Sequence, residues 1–536
     1  MFGIESRATP VILAASLALA CATAPSPSRA QSSEVGKVVV SPAKPGRWLK
    51  AESPHFTVSS DGDERLLRDY VVKLELFDAL LRHLHGMPLD GAAPRKLPIF
   101  LIRDRDQFDV VWPNMPAGVA GFYSSSAGEV FAMASRSRDD NTVVQHEYVH
   151  HFMLQYFPYS YPAWLVEGYA EYFGSATIDR DQITIGRNAW RGGNLLGVGW
   201  VPIDKVLTKR PSELTGSDPA MFYAEAWLMT HYFMSDPARY QQLTAYMKDV
   251  GAGADPRTAM EAVSGLTPEA LQVKLRAYAN SQIKFTDYTL KDLPKPTIVI
   301  EPLSAAADDL LLADLSLRRM GVEADDDDDA ESKSLEARAE DRSRQAKWKA
   351  AFLADIRVRA ARYPGQRLAD LVLARAELTL GDRATGAVLI DRFNAARPGD
   401  AEGLELAGLA RLAEGEEADD EHRTALFKEA GLLLGRAYKL DPSRYQTLYA
   451  YARSRSVDPK YPTDNVMAVL EEAHGLAPQV SEITLTTADA LMRRRQDDEA
   501  AALLGPVANS PHGGASAARA RAMLKAIADR RGDKTP

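Results

Sequence analysis

The chain has 536 residues and a formal net charge of −9, with 64 Lys and Arg against 73 Asp and Glu. That acidity argues against a nucleic-acid partner, and the length predicts two or more domains with a large core. The single cysteine, Cys21, excludes a disulfide within the chain.

At the N-terminus, Arg7 precedes an apolar run from Val11 to Ala20 that is too short for an ordinary spanning helix. Ser28-Arg29-Ala30 then offers a small-x-small cleavage point before Gln31. Residues 1–30 are expected to be a signal peptide, which implies export to the bacterial periplasm or cell envelope. Leu17-Ala18-Leu19-Ala20-Cys21 is a loose lipoprotein box, so a lipid anchor on Cys21 is the alternative to simple export. No later stretch has the roughly 18 apolar residues a membrane helix needs, and no membrane span is expected.

His55-Phe56-Thr57-Val58 and Ile99-Phe100-Leu101-Ile102 read as strands, separated by a helix over 64–84 with apolar residues at helical spacing. Ala120-Gly121-Phe122-Tyr123 and Val130-Phe131-Ala132-Met133 read as a hairpin, either a cleft wall or plain core strands. Immediately afterwards His146, Glu147 and His150 spell HExxH among uncharged, mostly apolar neighbours. On a helix, positions i and i+4 share a face, so both imidazoles reach one metal ion while Glu147 points into the same cleft.

Glu167 and Glu171 lie four apart in a second helical segment flanked by Trp164, Leu165, Tyr169 and Phe173. Glu167 as third ligand makes a two-histidine, one-carboxylate set that leaves a zinc position open to water, as in catalytic rather than structural centres. Glu147 is then placed to take the water's proton. Glu171, one turn on, is expected behind a ligand histidine. Gly168 predicts close approach to the HExxH helix. His151 points about 100° away from His150 and is expected to bond elsewhere. The segment from Met221 to Tyr232 reads as a buried helix, in which Tyr223 or His231 is either an oxyanion donor or a core side chain.

The HExxH of His146–His150, paired with Trp164-Leu165-Val166-Glu167-Gly168-Tyr169-Ala170-Glu171, resembles gluzincin metallopeptidases. It is most similar to the peptidase MA-like group found beside tetratricopeptide repeats in bacterial exported proteins. The resemblance covers roughly residues 45–285. It implies His146, His150 and Glu167 on zinc, Glu147 as the base and Tyr223 as a transition-state stabiliser. It also implies that the sheet edge near the 120–133 hairpin pairs with extended substrate. The 16-residue spacer between His150 and Glu167 is short for the family and no exopeptide-binding motif is visible, so endopeptidase action is expected.

Asp292-Leu293-Pro294-Lys295-Pro296 marks a boundary, and 291–346 reads as a Pro-rich and acidic linker. Within it Asp325, Asp327, Asp329 and Glu336 fall at calcium-loop positions, but Ala330 replaces the necessary glycine. Beyond Lys347 the chain is Ala- and Leu-rich, with prolines at Pro364, Pro398, Pro442, Pro478 and Pro511 spaced by 34, 44, 36 and 33 residues. A 34-residue period is that of tetratricopeptide helix pairs; the alternative is an irregular helical domain.

The expected architecture is an α+β zincin-like metallopeptidase domain over 45–290, followed by all-α tetratricopeptide-like repeats over 347–530. The repeats imply a protein partner or a substrate-recruiting surface. The function that follows is an exported metallopeptidase with one zinc ion per chain and a peptide or protein substrate. The alternatives are a non-catalytic envelope scaffold acting through its repeats, or a zinc amidase on a non-protein envelope polymer.

Overall fold

The computed structural model describes residues 45–113, 115, 120–136, 142–179, 182–188, 191–193, 195, 199–289, 295–320 and 335–532. The expected signal peptide, Cys21 and the Asp325–Asp329 tract lie outside them. Among the described residues no helix is long and apolar enough to cross a membrane.

The first elements are β1 (Pro45–Glu52), β2 (Phe56–Ser60), α1 (Glu64–Leu84), β3 (Leu97–Ile102), α2 (Arg105–Val111), β4 (Gly121–Ser125) and β5 (Val130–Ser135). The three strands β2, β3 and β5 are parallel, and β4 lies antiparallel at one edge beside β5. Asp63 caps α1 by accepting from the amides of Arg65 and Leu66, and the helix buries Leu67, Val71, Leu74, Phe77 and Leu81 at helical spacing. Those side chains share a core with Val58, Ile99 and Ala132 of the parallel strands.

Next come α3 (Thr142–Tyr156) and α4 (Ala163–Gly174), packed against each other, then β6 (Thr177–Asp179) and β7 (Gln182–Ile185). The longer helices that follow are α5 (Ile203–Thr208), α6 (Asp218–Met234), α7 (Pro237–Gly251), α8 (Pro256–Ser264) and α9 (Pro268–Ala279), the last capped by Thr267. The strand β8 (Thr286–Thr289) completes a second, antiparallel sheet with β7 and β6.

The stretch 291–346, expected as a linker, contains β9 (Val299–Ser304) and α10 (Ala307–Met320). β9 pairs antiparallel with β1, making the order of the main sheet β4-β5-β3-β2-β1-β9. None of its side chains is buried, three being exposed and three half-buried, because an outermost strand is held by backbone hydrogen bonds and needs no full apolar alternation. Helix α10 buries Leu310 and Leu317 against the repeats, and Leu315 against Trp48 and Phe108 of the sheet region.

The C-terminal half is a helical-repeat region: α11 (Leu335–Ala360), α12 (Arg367–Leu380), α13 (Arg383–Ala396), α14 (Ala401–Glu417), α15 (Asp420–Leu440), α16 (Tyr445–Ser454), α17 (Asp464–Leu476), α18 (Ser481–Arg493), α19 (Asp497–Ala508) and α20 (Gly514–Arg531). Pro398, Pro442, Pro478 and Pro511 each follow the second helix of a pair, where the missing amide hydrogen ends the helix. The longest interval comes from α14 and α15, which extend to 17 and 21 residues around the acidic Gly415–Glu421 segment.

The repeats do not stand apart. Tyr445, Leu448, Ala477, Val480 and Ile483 belong to the same core as α1, α3 and α4. The tip of the β4–β5 hairpin is held by the repeats: the Tyr445 hydroxyl donates to the Ser126 carbonyl at 2.8 Å and Gln446 to the Gly128 carbonyl at 3.3 Å. Glu129 of this tip also joins an ion-pair network of Arg318, Asp314, Arg375 and Glu402 that spans α10, α12 and α14.

Candidate metal centre

Helix α3 buries Val144, Tyr148, Val149 and Phe152 in the main core, leaving Glu147 and His150 on a cleft and His146 half-buried beside them. A buried charge cluster braces its back. The Tyr148 hydroxyl donates to Asp78 at 2.6 Å, and Asp78 in turn accepts from Arg82 at 2.7 Å. His55 and Glu75 complete that cluster at 2.7 Å, and the second ring nitrogen of His55 meets the Gly91 carbonyl at 2.8 Å. Its two carboxylates are already matched by Arg82 and His55, whose pKa rises because the carboxylates outweigh the effect of burial. This group is therefore a brace for α3, although its spacing alone would also suit a cation.

The Nε2 atoms of His146 and His150 lie 3.1 Å apart, and Glu167 Oε2 from α4 is 3.5 Å and 3.6 Å from them. Tetrahedral zinc with bonds of about 2.1 Å separates its ligand atoms by roughly 3.4 Å, so the three donors already have the required spacing. Glu167 is fully buried and neither of its oxygens has a hydrogen-bond partner. A buried carboxylate in that state costs several kcal/mol unless a cation offsets it. Burial opposes a charge on His146, yet Glu167, and then the charges of Glu147 and Glu171, hold its pKa up at about 9. Three carboxylates around two imidazoles thus form a nest for positive charge, and the donor set fits a divalent ion such as zinc.

Glu147 is half-buried and lines a cavity of about 280 Å³ together with His150 and Tyr123. Glu171 faces His146 Nδ1 at 3.7 Å, beyond hydrogen-bond length. Its carboxylate is clamped by Arg191, at 2.9 Å and 2.6 Å, and by Asn188 at 3.0 Å. Tyr223 lies on α6 with its ring under the Arg191 guanidinium at 5.0 Å. Burial and the neighbouring Glu167 charge push its hydroxyl above the ordinary tyrosine pKa. His151 turns away from the ligands, to the Tyr123 hydroxyl at 3.0 Å. His231 is buried with Nδ1 against the Tyr278 hydroxyl at 2.8 Å, and burial lowers its pKa to about 4, which makes it a core side chain.

The close approach expected of Gly168 is made with a different helix. A Cβ there would stand 2.5 Å from the Ala226 carbonyl oxygen of α6. Gly174 is the residue that lets α4 meet the ligand helix, since its Cβ would stand 2.8 Å from His146 Cα. The two glycines are six residues apart, which carries them to different sides of the helix.

Sequence reasoning missed Asn188, Arg191 and His512, and named Tyr123 only as part of the hairpin expected as a cleft wall or plain core strands. Tyr123 sits in an expected strand with nothing local to mark its direction. Asn188 follows β7 and Arg191 lies in a short helical segment over 191–193, too short for a periodic pattern in the sequence to mark it. His512 comes from the turn between α19 and α20, and its Nε2 is 3.7 Å from Glu167 Oε1.

No family model matches the chain. No curated protein matches it either. Among solved structures, the chain is similar to a tetratricopeptide-repeat protein of Thermus thermophilus, at 19% identity and a TM-score of 0.30 over 35% of this chain and 96% of that one. It is also similar to MamA of Desulfovibrio magneticus RS-1, at 13% identity and a TM-score of 0.25 over 37% of this chain and 95% of that one. A third neighbour, MamA MSR-1, is 15% identical with a TM-score of 0.23 over 36% of this chain and 95% of that one.

Proposed function

We propose that the protein is a zinc-dependent metallopeptidase, acting as an endopeptidase outside the cytoplasm. The observation that carries this reading is the fully buried Glu167 carboxylate, without a hydrogen bond and set at ligand spacing from His146 and His150, with Glu147 on the adjoining cavity. A zinc ion held by those three residues would supply Lewis acidity to a water molecule and to the scissile carbonyl. Glu147 takes the water's proton on its carboxylate as the water attacks, and returns it to the leaving amine nitrogen as the C–N bond breaks. Glu171, itself held by Arg191 and Asn188, sets its charge 3.7 Å from Nδ1 of His146, where it favours a proton on that nitrogen and leaves Nε2 to the metal position. Tyr223 is the candidate donor to the developing oxyanion. Among the described residues β4 is the outermost strand at its end of the sheet and carries Tyr123 and Ser125 of the cavity, so an extended peptide can add to the sheet beside Glu147.

The test is metal analysis together with mass spectrometry of a diverse peptide library incubated with wild type and Glu147→Gln. One zinc per chain in both proteins, and cleavage by wild type only, is expected. Cleavage by Glu147→Gln at the wild-type rate would falsify the mechanism. Bound zinc without turnover would favour the scaffold reading, and turnover confined to an envelope polymer would favour the amidase.

A further inference from the structure

The cavity beside Glu147 is not made by the metal-binding half alone. Its near wall carries Met153, Leu154, Phe157, Tyr161 and Val166, from α3, α4 and the loop joining them. Facing these are Leu503, Pro506 and Val507 of α19 and Pro511 of the turn after it. These residues lie more than 300 positions further along the chain. The last repeat is firmly seated there. Gly505 abuts Ser160 so closely that a Cβ would stand 2.9 Å from the Ser160 Cβ. Asn509 donates to Ser160 Oγ at 2.8 Å, and Arg210 to the Ala508 carbonyl at 2.9 Å. The same turn carries His512 to the metal site, where its ring stands edge-on to His150 with centroids 6.4 Å apart. The His512 side chain remains 70% exposed, so the mouth of the cleft is open at that point.

We propose that the last helical repeat is half of the substrate site. Leu503, Pro506, Val507 and Pro511 complete an apolar pocket that seats one bulky apolar side chain of an extended peptide, next to the bond presented to Glu147. The occupant follows from the lining and from continuity with the candidate metal centre: one cavity of about 280 Å³ is bordered by Glu147 and His150 and otherwise mainly by aliphatic and aromatic groups, with Gln479, Thr484, Asn509 and Ser510 as polar members of the wall. The substrate class is therefore peptides bearing Phe, Leu or Met at the position that enters the pocket. Full burial of such a side chain is worth about a 10- to 150-fold preference over alanine. The inference rests on the peptidase reading for its orientation, but the pocket itself can be tested without turnover.

The probes are three dansylated hexapeptide amides, dansyl-Gly-Ala-Ala-Phe-Ala-Ala and its counterparts with Ala or Trp in place of Phe. Binding is measured by fluorescence anisotropy on full-length Glu147→Gln protein, both zinc-loaded and chelator-treated, and cleavage is measured on wild type. The Phe peptide should be favoured by about 10- to 150-fold in both measurements. In Val507→Trp, which fills the pocket from the repeat side, the ratio should fall close to one. Leu503→Ala, which enlarges the pocket, should shift the preference from Phe towards Trp and serves as the second variant if Val507→Trp fails to fold. A Phe preference that survives both substitutions, or no Phe preference in wild type, overturns the proposal. If no peptide is cut and no zinc is bound, the peptidase reading fails; a Phe preference in binding that Val507→Trp abolishes would still support the pocket.

Discussion

Replacing Glu167 with Gln removes one charge from the centre of the site and keeps its shape. The carboxylate lies 3.5 Å from His146 Nε2. At an effective dielectric constant of about 20, a charge pair at that distance is worth roughly 5 kcal/mol, equivalent to three to four pKa units. In the metal-free wild type, His146 should titrate near the value of about 9 that its carboxylate neighbours impose against burial. In Glu167→Gln the midpoint should drop to the ordinary histidine value of 6.5 or below. The sign for stability follows. A histidine whose folded pKa is raised stabilises the fold fully below its ordinary pKa, and that stability is lost as pH rises through the folded pKa. Metal-free wild type should thus lose about 3 kcal/mol between its unfolded and folded midpoints, and the variant should not. The assay is an NMR titration of ¹³C-labelled histidine, with chemical denaturation at both ends of the window. A His146 midpoint that does not move in Glu167→Gln would refute the electrostatic nest, and with it the argument that this pocket is built for a cation.

Gly174→Ala should push α4 off α3, because the new Cβ would stand 2.8 Å from His146 Cα. Overpacking of this kind costs about 1–3 kcal/mol, so both the thermal midpoint and zinc affinity in a chelator competition should fall. Glu225 is buried on α6, accepts from the Val201 amide at 2.7 Å, and has its pKa pushed up to about 8 by burial. A raised carboxyl pKa means stability present below 4.5 and lost as pH rises towards 8. The loss is at most about 1.4 kcal/mol per pH unit, and Glu225→Gln should flatten it; urea curves at the two ends that stay parallel with wild type would rule this out. Tyr445→Phe strands the buried Ser126 carbonyl at the hairpin tip, at a cost of about 1–3 kcal/mol. Hydrogen exchange should then speed up in β4 and β5 as well as in α16, whereas a change confined to α16 would show the two halves to be uncoupled.

The convergence of His146, His150 and Glu167 is the most legible part of the sequence, because it depends on short-range periodicity. His146 and His150 are one helical turn apart, and Glu167 and Glu171 are one turn apart on the next helix. Once both segments are helical, only one packing contact is needed to bring the three donors together, and it is made where Gly174 meets His146. The helix pairs of the repeats were legible for a similar reason, since a proline after each second helix stops it locally. Less was visible where pairing rather than patterning holds an element. β9 is an edge strand with no buried side chain, so nothing in Val299–Ser304 distinguished it from a linker. The contact of Gly168 was assigned to the wrong neighbour because a glycine advertises close approach without naming the partner.

By itself the sequence determined that His146 and His150 share one helix face with Glu147 beside them, and that helices alternate in the C-terminal repeats, each set by interactions within a few residues along the chain. Only the tertiary structure decided that β9 joins the main sheet, that Arg191 clamps Glu171, and that the repeats share a core with α3 and carry Val507 and His512 to the metal cleft. Those contacts close loops of tens to hundreds of residues. Their formation depends on how whole faces pack, which no local pattern of residue types encodes.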